Sequence, residues 1–196
     1  FSGRAGFSLV ELDLGSNMLE GEIPALAINQ CTNLVYLDLH ENLLTGTIPD
    51  LRRLTRLKVL NLSWNFMHGA IPDWLFTELP MLSRLSLQSQ GQQKAGADNR
   101  PKHKLSTAAS KESRFVGPIP STVGSCKTLA VLNLSRNNLS GPLPTSLQTL
   151  INIEKLSLNG NDHLQRARPG VSLVDLFKGL VKLRALELPA HLLATK

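Results

Sequence analysis

The residue types that perform acid–base, nucleophilic or metal chemistry are present in this chain, but their spacing supports none of these reactions. The sequence contains no glycine-rich phosphate loop, no nucleophile elbow and no pair of carboxylates with a shared partner. The spacing of the five histidines is not that of metal ligands. They are His40, His68, His103, His163 and His191. We therefore predict a protein that is not an enzyme and that uses no cofactor and no metal ion.

One group of carboxylates would resemble a cation site if two neighbouring strands brought it together. Its members are Glu11, Asp13, Asp38 and Glu41. A run of acidic side chains is more often a solvated face than a metal site. We interpret this group as a solvated acidic face.

Three Asn-Leu-Ser sequons are candidate attachment sites for N-linked glycans, at Asn61, Asn133 and Asn138. The same tripeptide also arises whenever a repeat places Asn between its leucines and Ser after them. Asn61 and Asn133 are expected to project from strands, whereas Asn138 is expected on a more accessible turn. If the protein is secreted, Asn138 is the first candidate for glycosylation.

An internal repeat must position all of these residues. Of the 196 residues, 39 are leucine, and the pattern Leu-x-x-Leu-x-Leu starts at Leu9, Leu34, Leu57, Leu82, Leu129, Ile153 and Leu183. Successive units are separated by 25, 23, 25, 47, 24 and 30 residues. Alternating Leu-x-Leu is typical of a short strand with one buried face. No single unit can bury its leucines alone, so the units are expected to stack as parallel strands of a solenoid.

Each strand pattern is followed by an Asn and, in most units, by a return leg of the type Gly-x-Ile-Pro. These residues are Asn17, Asn42, Asn65, Asn137 and Asn161. Asn suits a tight turn because its side-chain amide can form hydrogen bonds with nearby backbone groups. Glycine permits the bend, and proline keeps the following backbone extended without needing a donor.

These segments resemble the plant-type leucine-rich repeat, whose mark is the Gly-x-Ile-Pro leg, as in LDLGSNMLEGEIP, LDLHENLLTGTIP and LNLSRNNLSGPLP. The resemblance covers residues 9–90 and 114–161 well and residues 162–196 loosely. It implies an α/β fold: a right-handed leucine-rich repeat solenoid of about seven repeats, with a parallel β-sheet on its concave face. The repeats are similar to those in the ectodomains of plant receptor-like kinases and receptor-like proteins. That similarity implies a peptide or protein ligand, with a co-receptor as a further partner.

Two segments depart from the repeat. The pattern breaks off at Gln90, where Asn is expected, and the return leg resumes at Arg114, so residues 91–113 are interpreted as a flexible basic insertion in the fourth repeat. This segment is an island loop beside the binding face, a solvated excursion, or an artefact such as a retained intron. Residues 162–182 replace the Gly-x-Ile-Pro leg with a pattern that predicts a helix capped by Ser172. The whole of 1–196 is otherwise one solenoid domain, expected to be a fragment.

The two cysteines occupy equivalent positions three repeats apart. Cys31 and Cys126 each lie three residues before the Leu that opens a strand. Three strand spacings of about 4.8 Å exceed the roughly 7 Å limit for a disulfide. We predict two buried thiols and no disulfide.

In a parallel solenoid, the residues between and just after the strand leucines point to solvent on one face. Along the chain these residues run from acidic, through aromatic, to basic. The predicted ligand-contact residues are Tyr36, Asp38, His40, Trp64, Arg84, Arg136 and Lys155. We expect an extended peptide whose basic end lies over Asp13 and Asp38 and whose acidic end lies over Arg136 and Lys155. The alternative is a surface on which these charges cluster by chance.

Composition and the resemblance together bound the function. No apolar run approaches the roughly 18 residues of a membrane span, so this segment is not expected to insert into a membrane. The net charge of +6 and pI of about 9.6 do not predict nucleic-acid binding, because half of the excess lies in residues 91–113 and the aromatics form no stacking platform. The resemblance implies a recognition module at the extracellular face of the plasma membrane or secreted. A soluble inhibitor of a wall-degrading enzyme, similar to polygalacturonase-inhibitor proteins, and an intracellular scaffold remain the alternatives.

Overall fold

A seven-stranded parallel sheet runs the length of the molecule. The computed structural model describes residues 7–91 and 113–194. Each Leu-x-Leu pattern contributes one three-residue strand, and the strands lie in chain order across the sheet. They are β1 (Glu11–Asp13), β3 (Tyr36–Asp38), β5 (Val59–Asn61), β7 (Arg84–Ser86), β9 (Val131–Asn133), β11 (Lys155–Ser157) and β13 (Ala185–Glu187). The predicted parallel sheet of a leucine-rich repeat solenoid is confirmed.

The register of this sheet is set by the central leucine of each strand. Leu37 of β3 lies opposite Leu12 of β1 and Leu60 of β5, and the same pairing continues to β13. The central leucines of the interior strands are fully buried. Burial of one such side chain stabilises the fold by about 1.5–3 kcal/mol. Because the register never shifts, equivalent residues of all repeats form straight columns.

The return legs form further strands that the sequence pattern did not predict. A four-stranded parallel sheet contains β6 (Gly69–Ala70), β8 (Phe115–Gly117), β10 (Asn138–Pro142) and β12 (His163–Gln165). A separate pair contains β2 (Glu20–Glu22) and β4 (Leu43–Thr45). Five return-leg glycines have φ between 78° and 92°, a left-handed conformation that side chains rarely adopt: Gly21, Gly46, Gly69, Gly117 and Gly141.

Short helices connect the return legs to the next strand. The α-helices are Ala25–Ile28, Trp74–Thr77, Leu173–Phe177 and Ala190–Leu193, and the 3₁₀-helices are Ser121–Ser125 and Thr145–Thr149. Four of them follow directly after a proline, which has no backbone N–H to leave unsatisfied: Pro24, Pro120, Pro144 or Pro189. In the segment 162–182, Ser172 caps the helix, because its Oγ accepts from the backbone N–H of Asp175 at 3.0 Å.

Both sheets continue directly across the fourth repeat. Strand β7 pairs with β9, and β8 pairs with both β6 and β10. Residues 82–91 and 113–120 therefore act together as one repeat. The predicted basic insertion, 91–113, lies outside the described residues apart from its two ends.

Buried amide side chains link each repeat to the preceding one. Asn65 donates from Nδ2 to the carbonyl oxygens of Leu39 and Leu62, at 3.0 and 3.1 Å, and accepts at Oδ1 from the backbone N–H of Leu44 at 3.1 Å. Equivalent bonds are made by Asn42, Gln90, Asn137 and Asn161. We call these five residues the amide ladder.

Gln90 continues this ladder, so the interpretation that the repeat pattern breaks off there is corrected. Gln90 is fully buried. Its Nε2 donates to the carbonyl oxygen of Leu62 at 2.8 Å, and its Oε1 accepts from the backbone N–H of Met67 at 3.1 Å. Its amide thus makes the ladder contacts from a side chain that is one methylene longer than Asn.

Candidate functional site

Four columns of side chains form the solvent side of the seven-stranded sheet, which we call the concave face. Neighbouring members of a column are about 4.8 Å apart. The first residues of the seven strands form column one, with Glu11, Tyr36, Val59, Arg84, Val131, Lys155 and Ala185. The third residues form column two, with Asp13, Asp38, Asn61, Ser86, Asn133, Ser157 and Glu187. Column three, two residues further on, contains Gly15, His40, Ser63, Gln88, Ser135 and Asn159.

The fourth column contains residues in a left-handed backbone conformation. Ser16, Glu41, Trp64, Ser89 and Arg136 all have φ between 55° and 58°. Backbone hydrogen bonds hold the column, with the N–H of Trp64 donating to the carbonyl oxygen of Gln88 at 2.9 Å. A bulky residue is uncommon in this conformation and is strained by roughly 1 kcal/mol or more. Because five successive repeats share this conformation, it belongs to the repeat turn, and the sequence pattern did not predict it.

The acidic end of the face is an organised hydrogen-bond network. Asp38 accepts at Oδ1 from the backbone N–H of His40 at 2.9 Å, and His40 Nδ1 lies 2.7 Å from the same oxygen. The second carboxylate oxygen of Asp38, Oδ2, accepts from Asn61 Nδ2 at 2.9 Å and from the Tyr36 hydroxyl at 3.1 Å. Asp38 is only 5% exposed. The prediction that Asp38 belongs to a solvated acidic face is therefore wrong, and the contacts of its carboxylate orient Tyr36 and His40.

The network shifts the ionisation of two of its members. Burial opposes the charge on Asp38, but the hydrogen bonds from His40 and Asn61 outweigh burial, so the pKa of Asp38 lies below its usual value. Burial raises the pKa of Tyr36 to about 12, and the hydrogen bond to the Asp38 carboxylate adds to this effect. At neutral pH the network holds an ionised Asp38 beside a neutral Tyr36.

Ser16, His40 and Asp38 line up in the order found in hydrolase triads, but the distances do not support that chemistry. Ser16 Oγ lies 3.4 Å from His40 Nε2, whereas it donates to Glu41 Oε2 at 2.7 Å. A nucleophilic serine needs its proton directed at the histidine, so this network serves to fix side chains. Within residues 7–91 and 113–194, no group of three or more His, Cys, Asp or Glu residues is arranged to hold a metal ion.

The basic end of the face is more open. Arg84 and Arg136 are exposed. Lys155 Nζ lies 3.7 Å from Glu187 Oε1, with both side chains 46% exposed. Trp64 and Arg136 are the two neighbours of Ser89 in the fourth column, and Ser89 is fully buried. The strands thus bring Tyr36, Asp38 and His40 together at one end and Arg84, Arg136 and Lys155 at the other, with half-buried Trp64 between them.

The three sequons differ in accessibility. Asn61 Nδ2 is bonded to Asp38, and Asn133 Nδ2 is bonded to Gln88 Oε1, both within the concave face. Asn138 is exposed and begins β10 on the return-leg side, rather than lying on a turn as the sequence analysis expected. Its position still makes it the most accessible of the three.

The two cysteines are part of the core. Cys31 and Cys126 are buried as free thiols. Burial raises the pKa of the Cys126 thiol, whose Sγ donates to the carbonyl oxygen of Leu82 at 3.4 Å. Both residues contribute to packing rather than to the concave face.

Charge is distributed unevenly along the solenoid. Residues 7–49 contain six carboxylates and no Lys or Arg: Glu11, Asp13, Glu20, Glu22, Asp38 and Glu41. The net charge of the whole chain is nevertheless +6. The first two repeats are therefore an acidic end of a molecule that is basic elsewhere.

The described residues form a solenoid of short repeats that exposes one face of a parallel sheet. Residues 8–29, 33–52, 56–77 and 128–150 match the Leucine Rich Repeat family model. These four segments are leucine-rich repeats, and the chain is similar to plant receptor-like proteins, as the sequence resemblance predicted.

The curated relatives of this chain include receptor-like proteins. Receptor-like protein 7 of Arabidopsis thaliana is 29% identical over 124 residues, which cover 52% of this chain and 13% of that protein. Receptor-like protein 35 of the same plant is 34% identical over 123 residues, covering 56% of this chain and 13% of that protein. The chain thus spans a small part of the curated relatives that it matches.

Among solved structures, the Arabidopsis receptor kinase HAESA, in complex with the peptide hormone IDA and the co-receptor SERK1, superimposes with a TM-score of 0.69. The two are 28% identical, and the match covers 92% of this chain and 26% of that one.

Proposed function

We propose that this chain is a non-catalytic recognition segment of a plant cell-surface receptor-like protein, and that it binds an extended peptide along its concave face. The relatives are receptor-like proteins, which favours a receptor over a soluble enzyme inhibitor or an intracellular scaffold. A structural neighbour holds a peptide hormone and a co-receptor, which supports the same two kinds of partner here. In such a receptor, the solenoid described here would lie outside the cell.

The observation that carries this proposal is the order of chemistry along the face. Acidic side chains at β1 and β3 are followed by Trp64 near the centre and by Arg136 and Lys155 after β9 and at β11. Opposite charges at the two ends of a long groove orient a bound chain and exclude the reversed one. A large aromatic side chain between them provides the apolar anchor that often dominates binding energy.

The spacing sets the length of the bound segment. Four strand steps separate the exposed Asp13 from the exposed Arg136. At about 4.8 Å per step this is about 19 Å. An extended chain spans that distance in about six residues, at about 3.3 Å per residue. The ligand should therefore carry basic and acidic groups separated by about six residues.

The proposal also concerns membrane spanning and N-linked glycosylation. In residues 7–91 and 113–194, the structure has no helix with the length and apolarity needed to span a bilayer. Glycosylation at Asn138 would leave the concave face free, whereas a glycan at Asn61 or Asn133 would project from it.

The proposal is tested with a polarised probe peptide: two lysines, a neutral segment of about six residues and two glutamates, made in both chain directions. Binding is measured by fluorescence anisotropy at low salt, with a peptide of shuffled charges for comparison. One direction should bind more tightly than the other and than the shuffled peptide. Arg136→Glu should weaken that binding about fivefold to tenfold, since exposed charge pairs contribute up to about 1 kcal/mol each. Arg136→Gly removes the charge while relieving the left-handed strain.

The matched control is Arg168→Glu, which makes the same change at an exposed arginine on the return-leg side. Its affinity should equal that of the unaltered chain. If Arg136→Glu binds the probe unchanged, or if Arg168→Glu weakens binding equally, the concave face is not the binding site.

A further inference from the structure

A turn of three-residue steps leads the chain into β5. The backbone N–H of Leu54 donates to the carbonyl oxygen of Leu51, and that of Leu57 donates to the carbonyl oxygen of Leu54, both at 2.9 Å. All three leucines are fully buried. Because the leucines fill the inward positions of the turn, the residues between them and the one that follows are left exposed.

Four of these exposed residues are basic, and we call them the basic turn: Arg52, Arg53, Arg56 and Lys58. Residues 50–58 contain one carboxylate, that of Asp50, so their net charge is +3. Like charges so close in the chain repel one another. The basic turn is therefore an exposed patch of positive charge.

The fold does not require this charge. Buried residues at the same three-residue spacing precede β3, β7, β9 and β11, in residues 28–35, 76–83, 123–130 and 147–154. These four turns together contain one Lys or Arg, Lys127. The four basic residues of 51–58 are thus available for a role other than folding.

A second basic group lies further along the solenoid, before β13: Lys178, Lys182 and Arg184. Lys178 Nζ is already paired with Asp175 Oδ1 at 2.8 Å. Glu78 and Glu154 lie in the intervening turns. The two basic groups therefore do not form one continuous surface.

Most of the basic turn has no counter-charge within residues 7–91 and 113–194. Arg53 and Lys58 make no ion pair there. Arg56 donates from Nη1 to the neutral side chain of Asn33, whose Oδ1 lies at 3.0 Å. These three cations are free to meet an anion from outside.

The remaining member, Arg52, shows which anion suits the patch. Its Nε lies 3.0 and 3.1 Å from the two carboxylate oxygens of Asp50, and its Nη2 lies 2.7 Å from Oδ2. The planar guanidinium fork matches the geometry of a carboxylate. Arg53 and Arg56 offer the same fork without a carboxylate in it.

Neighbouring carboxylates limit the length of an anion that could bind. Residues 7–49 contain six carboxylates and no Lys or Arg. On the other side, Glu78 adds to the larger effect of Asp50 in raising the pKa of Arg52, so its charge is close by. A long polyanion or an anionic membrane would meet these like charges on both sides of the patch, whereas a short anionic segment would not.

We propose that the basic turn docks a short acidic segment of a partner protein, with Arg53 and Arg56 each holding an Asp or Glu carboxylate as Arg52 holds that of Asp50. The surface lies where the chain enters the seven-stranded sheet. It includes none of the predicted ligand-contact residues of the concave face. An acidic partner can therefore dock while that face holds a ligand.

The proposal is tested with hexaglutamate, labelled at its N-terminus and amidated at its C-terminus, by fluorescence anisotropy at low salt. Arg53→Glu combined with Lys58→Glu should weaken binding about tenfold or more, because two attractions become repulsions. The matched control, Lys127→Glu combined with Lys182→Glu, makes the same change of net charge at exposed lysines in other turns. Its affinity should stay close to that of the unaltered chain.

Two further measurements separate binding from folding and locate the site. Arg53→Gln combined with Lys58→Gln should also weaken binding, while its thermal midpoint equals or exceeds that of the unaltered chain, because repulsion is reduced. Carbodiimide coupling joins a glutamate carboxylate to a neighbouring lysine amine as an amide, with loss of water. Mass spectrometry should find the hexaglutamate adduct at Lys58.

Hexagalacturonate carries the same number of carboxylates on stiff rings and should bind more weakly than the flexible hexaglutamate. Tighter binding of hexagalacturonate would assign the basic turn to a polysaccharide and overturn the proposal. Absence of hexaglutamate binding, an equal loss of affinity in the two charge-reversed variants, or coupling that avoids Lys58 would each overturn it as well.

Discussion

At the scale of the residue, Tyr36 reports directly on the network at the acidic end. It is the one tyrosine in the sequence, so its ionisation can be followed by ultraviolet absorbance without assignment. Burial and the Asp38 hydrogen bond raise its pKa to about 12, against about 10 in an unfolded chain. Stability from the neutral phenol is therefore fully present below pH 10 or so and is lost as the pH rises through 12.

We expect the absorbance titration of the folded protein to have its midpoint near pH 12. Asp38→Asn should lower this midpoint, because the hydrogen-bonded carboxylate is removed, while burial keeps it above the value for free tyrosine. Circular dichroism over the same pH range checks that the chain is folded. A midpoint near the free value in the folded protein would contradict the network.

At the scale of the element, the amide ladder explains how repeats of unequal length stay in register. Gln90 shows this most clearly, because it connects Leu62, Met67 and Leu87 in the repeat that precedes residues 92–112. Gln90→Ala leaves the buried N–H of Met67 without this acceptor, whereas the carbonyl oxygens of Leu62 and Leu87 keep their bonds from Asn65 and Asn137. One orphaned buried group costs about 1–3 kcal/mol.

We expect Gln90→Ala to lower the free energy of unfolding by about 1–3 kcal/mol in urea titrations. The matched control is Asn138→Ala, an exposed amide outside the ladder, which should change it little. Equal stability of the two variants would show that the Gln90 bonds do not hold the repeat.

The elements that could be predicted from the sequence are those with a strong periodic signal. The Leu-x-Leu strands follow from alternation, and the bends follow from Gly46 and its equivalents. The second sheet was not predicted, because strands such as β6, Gly69–Ala70, are too short to show alternation. Gln90 was misread because residue type was taken as decisive, whereas the buried position needs only an amide of sufficient reach.

The candidate site was predictable in position but not in conformation. A parallel sheet with a fixed register places Tyr36, Trp64 and Arg136 on one face, and this follows from spacing alone. Trp64 has a left-handed backbone conformation that tryptophan rarely adopts. Residue propensities therefore could not predict this conformation. The burial of Asp38 depends on four donors from two repeats, which also has no signal in local sequence.

At the scale of the whole molecule, the proposed ligand orientation depends on the separation of charge along the concave face. The acidic first two repeats lie towards one end, and Arg136 and Lys155 lie towards the other. A peptide with opposite charges at its two ends would then bind in one direction, and Arg136→Glu should weaken that preference.

The measurement that tests the central claim most directly is photo-crosslinking of the polarised probe peptide, with a benzophenone at its centre, followed by mass spectrometry. The concave-face account predicts attachment at or beside Trp64, Gln88 and Ser135, near the middle of the four columns. Attachment confined to the return-leg strands β6, β8 and β10, or to the β1 and β13 ends, would contradict it.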